Sequence, residues 1–125
     1  MPAVEVIEAA REVTLDEVES ALVVAFRRAR VALNNGRAVV VLVREEDLLG
    51  HGDPPAAAVA GALVGLVRAL ATEGVRNDWR VNALATTDAV SASDRSEWID
   101  RLSDVHGASG VVVRLGQLHL GRLSV

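Results

Sequence analysis

Cysteine is absent from this 125-residue chain. That excludes disulfides, thiol nucleophiles and cysteine-ligated metals, and it fits a reducing, cytoplasmic setting. Lysine is absent too. All 13 basic side chains are arginine, and 17 acidic ones leave a formal charge of −4. There is no basic tract, and aromatic residues make up only 2% of the chain. Little is left to neutralise phosphates or stack on bases, so no nucleic-acid partner is expected. The opening residues Met1, Pro2, Ala3, Val4 and Glu5 lack the basic start and apolar core of a signal peptide. Arg68 interrupts the longest apolar run before it reaches the ~20 residues that span a bilayer, so no membrane partner is expected either.

What is present is aliphatic. Half of the residues are hydrophobic, and the length suits one domain, residues 1–125, around one core. The fold expected is α/β: a partial Rossmann-like three-layer sandwich on a small parallel sheet. Strands of such a sheet, buried on both faces, read as unbroken apolar runs.

A short strand is expected over 4–7. Thr14 and Glu17 then form a capping-box pair, and Val13 and Val18 can close a hydrophobic staple around it. The helix that follows turns Val18, Ala21, Leu22, Ala25, Phe26, Ala29, Ala32 and Leu33 to the core, and stops at Asn34-Asn35-Gly36 in a left-handed exit. Residues 38–43 read as a central parallel strand and 44–53 as a polar loop. Asp53 caps the next helix, 54–73, with Pro54 at its first position. Strands over 79–85 and 110–115 flank a third helix, 94–105, with its cap signal in Asp94 and Glu97. Residues 117–125 form a weaker extended tail. This order predicts a parallel sheet with right-handed crossovers and helices on both faces.

The helix over 54–73 is the most telling segment. Only Arg68 and Glu73 carry charge, and small residues recur at Ala57, Gly61, Gly65 and Ala69. A surface helix on a lone small domain should show a polar stripe. The small residues could let the helix sit close to the sheet, but that leaves the rest of its circumference uncovered. The helix over 15–33 is widened in the same way by Val23, Val24 and Val31. Apolar surface in excess of what one sheet hides points to a second protein. The expected contact residues are Val24, Arg28, Val31, Ala57, Gly61, Val64, Gly65 and Arg68.

From about Thr14 onward the chain resembles the C-terminal half of a short-chain dehydrogenase/reductase (SDR). Gly36-Arg37-Ala38-Val39-Val40-Val41 is similar to the family strand that leads to the catalytic Ser. The run from Gly61 to Glu73 is similar to the helix after the catalytic Tyr-x-x-x-Lys. Arg80-Val81-Asn82-Ala83-Leu84-Ala85 is similar to the family's Arg-Val-Asn strand, and Leu102-Ser103-Asp104 with Ser109-Gly110 to its late segment. The resemblance implies a Ser at Val43, a Tyr at Ala56 and a Lys at Ala60. All three positions are aliphatic. General acid–base work needs a titratable group within hydrogen-bond reach, so the family's hydride chemistry is not expected here. Thr86-Thr87 stands where the family has Pro-Gly. No glycine precedes Gly36, so the Gly-rich turn of a dinucleotide fold is missing, and no cofactor is expected.

Other candidate residues have simpler readings. His51, Asp53, Glu45, Glu46 and Asp47 could form a metal or acid/base cluster, but a solvated loop with Asp53 as a cap explains them, since no second His stands at ligand spacing. His106 and His119 read as surface residues, and Ser91, Ser93, Ser96, Ser103 and Ser109 lack a nucleophile motif. Trp79 and Trp98 read as packing anchors, and Arg27, Arg28 and Arg30 as an exposed helix face. Three functions remain open. One is a non-catalytic SDR-like protein that forms a dimer or tetramer through helices 15–33 and 54–73, or that pairs with a full-length SDR. The second is a small-molecule-binding protein that uses a repurposed pocket, with Asp53, His51 or the Thr86-Thr87 loop supplying polar groups. The third is one subunit of a split oxidoreductase.

Overall fold

A computed structural model describes residues 4–105 and 107–116. The expected tail, His106 and His119 lie outside the described residues. Four strands, β1 (Val4–Glu8), β2 (Ala38–Arg44), β3 (Val81–Thr86) and β4 (Val112–Leu115), form one sheet in the order β1-β2-β3-β4. Every pairing is parallel, with Val4 opposite Ala38, Val39 opposite Val81 and Ala83 opposite Val112. β2 and β3 are covered on both sides, which is why their sequences do not alternate. Val39, Val40, Val41, Val81, Ala83, Leu84 and Ala85 are all buried.

The connections are α1 (Val18–Asn34), α2 (Glu45–Leu48), α3 (Pro54–Glu73) and α4 (Ala92–Asp104). α1 and α3 share one face. Ala25, Ala29, Ala32 and Leu33 of α1 and Val59, Leu63, Val67 and Leu70 of α3 form a single cluster with Ile7, Val39, Val41 and Ala83. α4 takes the other face, where Leu102, Trp98 and Ile99 meet Val40, Leu42 and Leu84. The strands advance across the sheet in one direction while the third connection crosses the opposite face. It therefore has the opposite hand to the first two, and the expectation of uniformly right-handed crossovers does not hold at α4. The sheet face left open by α1 and α3 offers α4's apolar stripe its partner.

Local signals account for most boundaries. The Glu17 carboxylate accepts from the Thr14 backbone N–H and hydroxyl, both at 2.9 Å, ahead of a single 3-10 turn from which α1 continues. Val13 and Val18 both join the core beside it. Gly36 sits at φ 76°, the left-handed exit expected after Asn35. Several local expectations differ. Residues 45–48 of the expected loop form α2. Asp53 occupies the cap position of α3, but its side chain makes no capping bond. α4 begins earlier than expected, because the Ser91 hydroxyl accepts the Asp94 N–H at 3.0 Å and so makes Ser91 the cap. β3 starts at Val81, after Asp78 turns the chain at φ 55°. Trp79 is the packing anchor expected; a Cβ on Gly74 would come within 2.5 Å of it.

α3 is long and apolar enough to cross a membrane by length and composition, which corrects the expectation from Arg68 alone. In this fold one of its sides is a core side, with Ala56, Val59, Ala60, Leu63, Val64, Val67 and Leu70 buried.

Candidate functional site

The largest departure from a self-sufficient domain is the outer surface of α1 and α3. Successive residues of a helix turn about 100°, so α3's buried side leaves Ala58, Gly61, Ala62, Gly65, Arg68 and Ala69 facing out, and all six are exposed. Among the described residues, nothing lies within 4 Å of a Cβ built on Gly61 or Gly65. The reading that small residues let α3 approach the sheet is therefore wrong for these two. The residues that meet the sheet are larger, among them Val59, Leu63 and Val67.

Beside this stripe runs an open groove of about 470 Å³ between α1 and α3. Glu19, Leu22, Val23 and Phe26 line one wall, and Ala62, Gly65, Leu66 and Ala69 the other. Phe26, expected in the core, is 41% exposed. On the outward side of α1, Val24 and Val31 stand two turns apart and are 56% and 55% exposed. At the far end of the groove Arg30 pairs with Glu73 at 2.6 and 2.7 Å, and its guanidinium lies over Phe26 and Trp79.

Of the expected contact residues, Val24, Val31, Gly61, Gly65 and Arg68 are exposed and Ala57 is half-buried. Arg28 is exposed but tied to β1 through Glu5 and the Val6 carbonyl. Val64 is buried in the chain's own core and does not belong to the outward surface. Val23, Phe26 and Leu66 belong to it and were not among the expected residues. The signal for α1's share was in the sequence: positions 19, 22, 23 and 26 follow the i, i+3, i+4, i+7 spacing of a second helical face.

The reaction-centre positions that the resemblance implies lie in the interior. Val43, Ala56 and Ala60 are each at most 2% exposed and belong to the same aliphatic cluster. They offer no donor, acceptor or charge. The polar loop after β2 is not the solvated loop expected. Glu45 is fully buried and Asp47 nearly so, while Glu46 is exposed. Among the described residues, neither Glu45 oxygen has a hydrogen-bond partner, and Arg114 lies 3.7 Å away. Arg44 pairs with Glu46 and lies 3.8 Å from Asp47. Among the described residues, no group of three His, Asp or Glu side chains is placed to hold a metal ion.

Asn82 has a structural task that the sequence did not disclose. Its amide donates to the Ala108 carbonyl at 2.8 Å and accepts the Val111 N–H at 3.0 Å. Ser109 works beside it, donating to the Trp79 carbonyl and accepting the Val81 N–H. Together they fasten β3 to the segment that enters β4.

This geometry has a counterpart. The fold is similar to that of a short-chain dehydrogenase/reductase from Serratia marcescens BCRC 10948, with a TM-score of 0.55 at 15% identity. The match covers 89% of this chain and 63% of that chain, so the protein spans somewhat under two thirds of the length of its structural neighbour. At that identity the likeness concerns the fold: a Rossmann-like parallel sheet with helices on both faces. The sequence matches no protein-family model and no curated protein.

Proposed function

We propose that the protein acts by association and not by hydride transfer. The contact surface is the outer side of α1 and α3, and the partner is a second copy of the chain, in a dimer or tetramer, or a full-length short-chain dehydrogenase/reductase. The observation that carries this reading is the open space above Gly61 and Gly65. A glycine inside an exposed helix costs about 1 kcal/mol relative to alanine, and no contact among the described residues requires either one. A second helix laid across α3 would use both, since its backbone could approach where a side chain would block it. The exposed Val23 and Phe26, which wall the adjoining groove, would be covered by the same approach, which removes apolar surface from water at about 25 cal/mol per Å². The non-catalytic half of the proposal rests on Val43, Ala56 and Ala60, which cannot transfer a proton.

Light scattering on the purified chain tests the reading against a Gly65→Leu variant. The expected result is an assembly of the native chain that the variant loses while keeping its circular dichroism spectrum. NAD(P)H titrated into the same samples should give no saturable binding. A monomer in both samples would exclude the self-assembled form, and co-flotation of the native chain with lipid vesicles would overturn the reading.

A further inference from the structure

The groove between α1 and α3 has unequal walls. Leu22, Val23 and Phe26 give the α1 wall its bulk, whereas Ala62, Gly65 and Ala69 leave the α3 wall low around Leu66. The two helices run the same way, because each returns the chain to begin a parallel strand. Their register is pinned at one end by the pair Arg30–Glu73. Counted back along both helices, Phe26 stands level with Ala69, Val23 with Leu66 and Glu19 with Ala62, and these are the residues that line the groove.

Charge is sparse on these walls and their margins. Glu19 is exposed at one end of the groove, Arg68 on α3 just before Ala69, and Arg27 on α1 just after Phe26. Among the described residues none of the three has an ion-pair partner, whereas Arg28 and Arg30 are taken by Glu5 and Glu73. A second copy can lay its α1 across α3 in two directions. Laid in the same direction, it sets its Phe26 over Ala69 and its Arg27 against Arg68, like charge against like. Turned end for end about a two-fold axis through the middle of the groove, it sets its Phe26 over Ala62, its Val23 over Gly65 and its Glu19 over Ala69, within about one residue's rise of Arg68. The bulky wall of each copy then meets the low wall of the other, and each unpaired arginine meets an unpaired acid. The two-fold axis makes every contact twice.

We infer that the associating partner is a second copy of this chain, docked end for end across the groove, with Arg68 of each chain paired to Glu19 of the other; this rests on the association reading above and adds to it the partner, its direction and the ion pair that selects both. Asp16, about one turn before Glu19 and also exposed, keeps that end of α1 acidic. Opposite charges on the two patches fix orientation more than they add affinity, so the apolar walls hold the copies together and the Arg68–Glu19 pairs choose between the two directions. Gly65 lies where Val23 of the second copy comes closest, with no described atom in the space its own Cβ would take.

The test is sedimentation velocity on four samples of the whole chain: native, Arg68→Glu, Glu19→Arg, and an equimolar mixture of the two variants. Both substitutions sit at exposed positions, so the circular dichroism spectrum should not change. Each variant alone should self-associate about tenfold more weakly than the native chain, since like charges then face each other at both ends of the contact. The mixture should recover the native affinity, because one chain then supplies both acids and the other both arginines. An assembly that Gly65→Leu dissolves and neither charge reversal weakens would overturn the pairing and leave the association reading standing. So would reversals that weaken assembly without recovery on mixing. A native chain that stays monomeric at every concentration would overturn the pairing together with the self-assembled form of that reading.

Discussion

The two sides of α3 are both largely apolar and have opposite surroundings. The inner side carries Ala56, Val59, Ala60, Leu63, Val67 and Leu70, all buried against the sheet and α1. The outer side carries Ala58, Gly61, Ala62, Gly65 and Ala69, all exposed. What separates them is size. Where the chain provides its own partner, the helix uses branched side chains that fill space at crystal-like density. Where no described residue packs on it, it uses residues that fill as little space as possible, Arg68 apart. Charged residues would be the ordinary choice on a solvated side, and Arg68 and Glu73 show that the helix accepts them.

Substitutions on the two sides should therefore behave differently, and the largest effect belongs to the inner one. Leu63→Ala opens a cavity beneath α3 and should cost about 2–5 kcal/mol in chemical denaturation. A smaller loss there would mean that the α3–sheet contact is looser than the burial of Leu63 implies. Asn82→Ala comes next. It strands the Ala108 carbonyl and the Val111 N–H, and should cost about 1–3 kcal/mol, with accelerated hydrogen exchange at Val111. Gly65→Ala acts in the other direction. In a chain held monomeric by dilution it should gain about 0.5–1 kcal/mol from helix propensity alone, and a loss instead would show that Gly65 has a neighbour within the chain.

The smallest effect is the acid limb of stability at the start of α1. The Thr14 backbone N–H, and secondarily its hydroxyl, hold the Glu17 carboxyl below the ordinary carboxylate range. The stabilisation is present above the unfolded value and disappears as pH falls through the lower, folded one. Glu17→Gln should flatten that part of a pH–stability profile, while an unchanged profile would remove Glu17 from the cap.

Much of this fold can be read from the sequence because its strands are buried on both faces and its helix ends carry strong signals. The aliphatic runs of β2 and β3, Gly36 after Asn35, and Pro54 at the head of α3 each act locally. The opposite hand of the α4 connection was not legible, since it depends on which sheet face Trp98 and Leu102 find open. Nor was the role of Asn82, whose two partners lie more than 25 residues away. Glu45 and Asp47 look like solvated loop residues in sequence and are buried in the structure. Their burial depends on α2 folding back under α3, a tertiary event. The outer surface was anticipated in outline, but Val64 and Phe26 exchanged places. A helix with apolar residues nearly all round does not reveal by periodicity which of its sides meets the sheet.

The most direct measurement is the solvent exposure of alanine methyls in α3, read by NMR with a soluble paramagnetic agent over a dilution series. Ala58, Ala62 and Ala69 are expected to be shielded at high concentration almost as well as Ala56 and Ala60, and to become exposed on dilution while the inner pair does not change. Outer methyls that relax fully at every concentration, in a chain whose inner methyls stay protected, would contradict the claim that this surface exists to be covered by another protein.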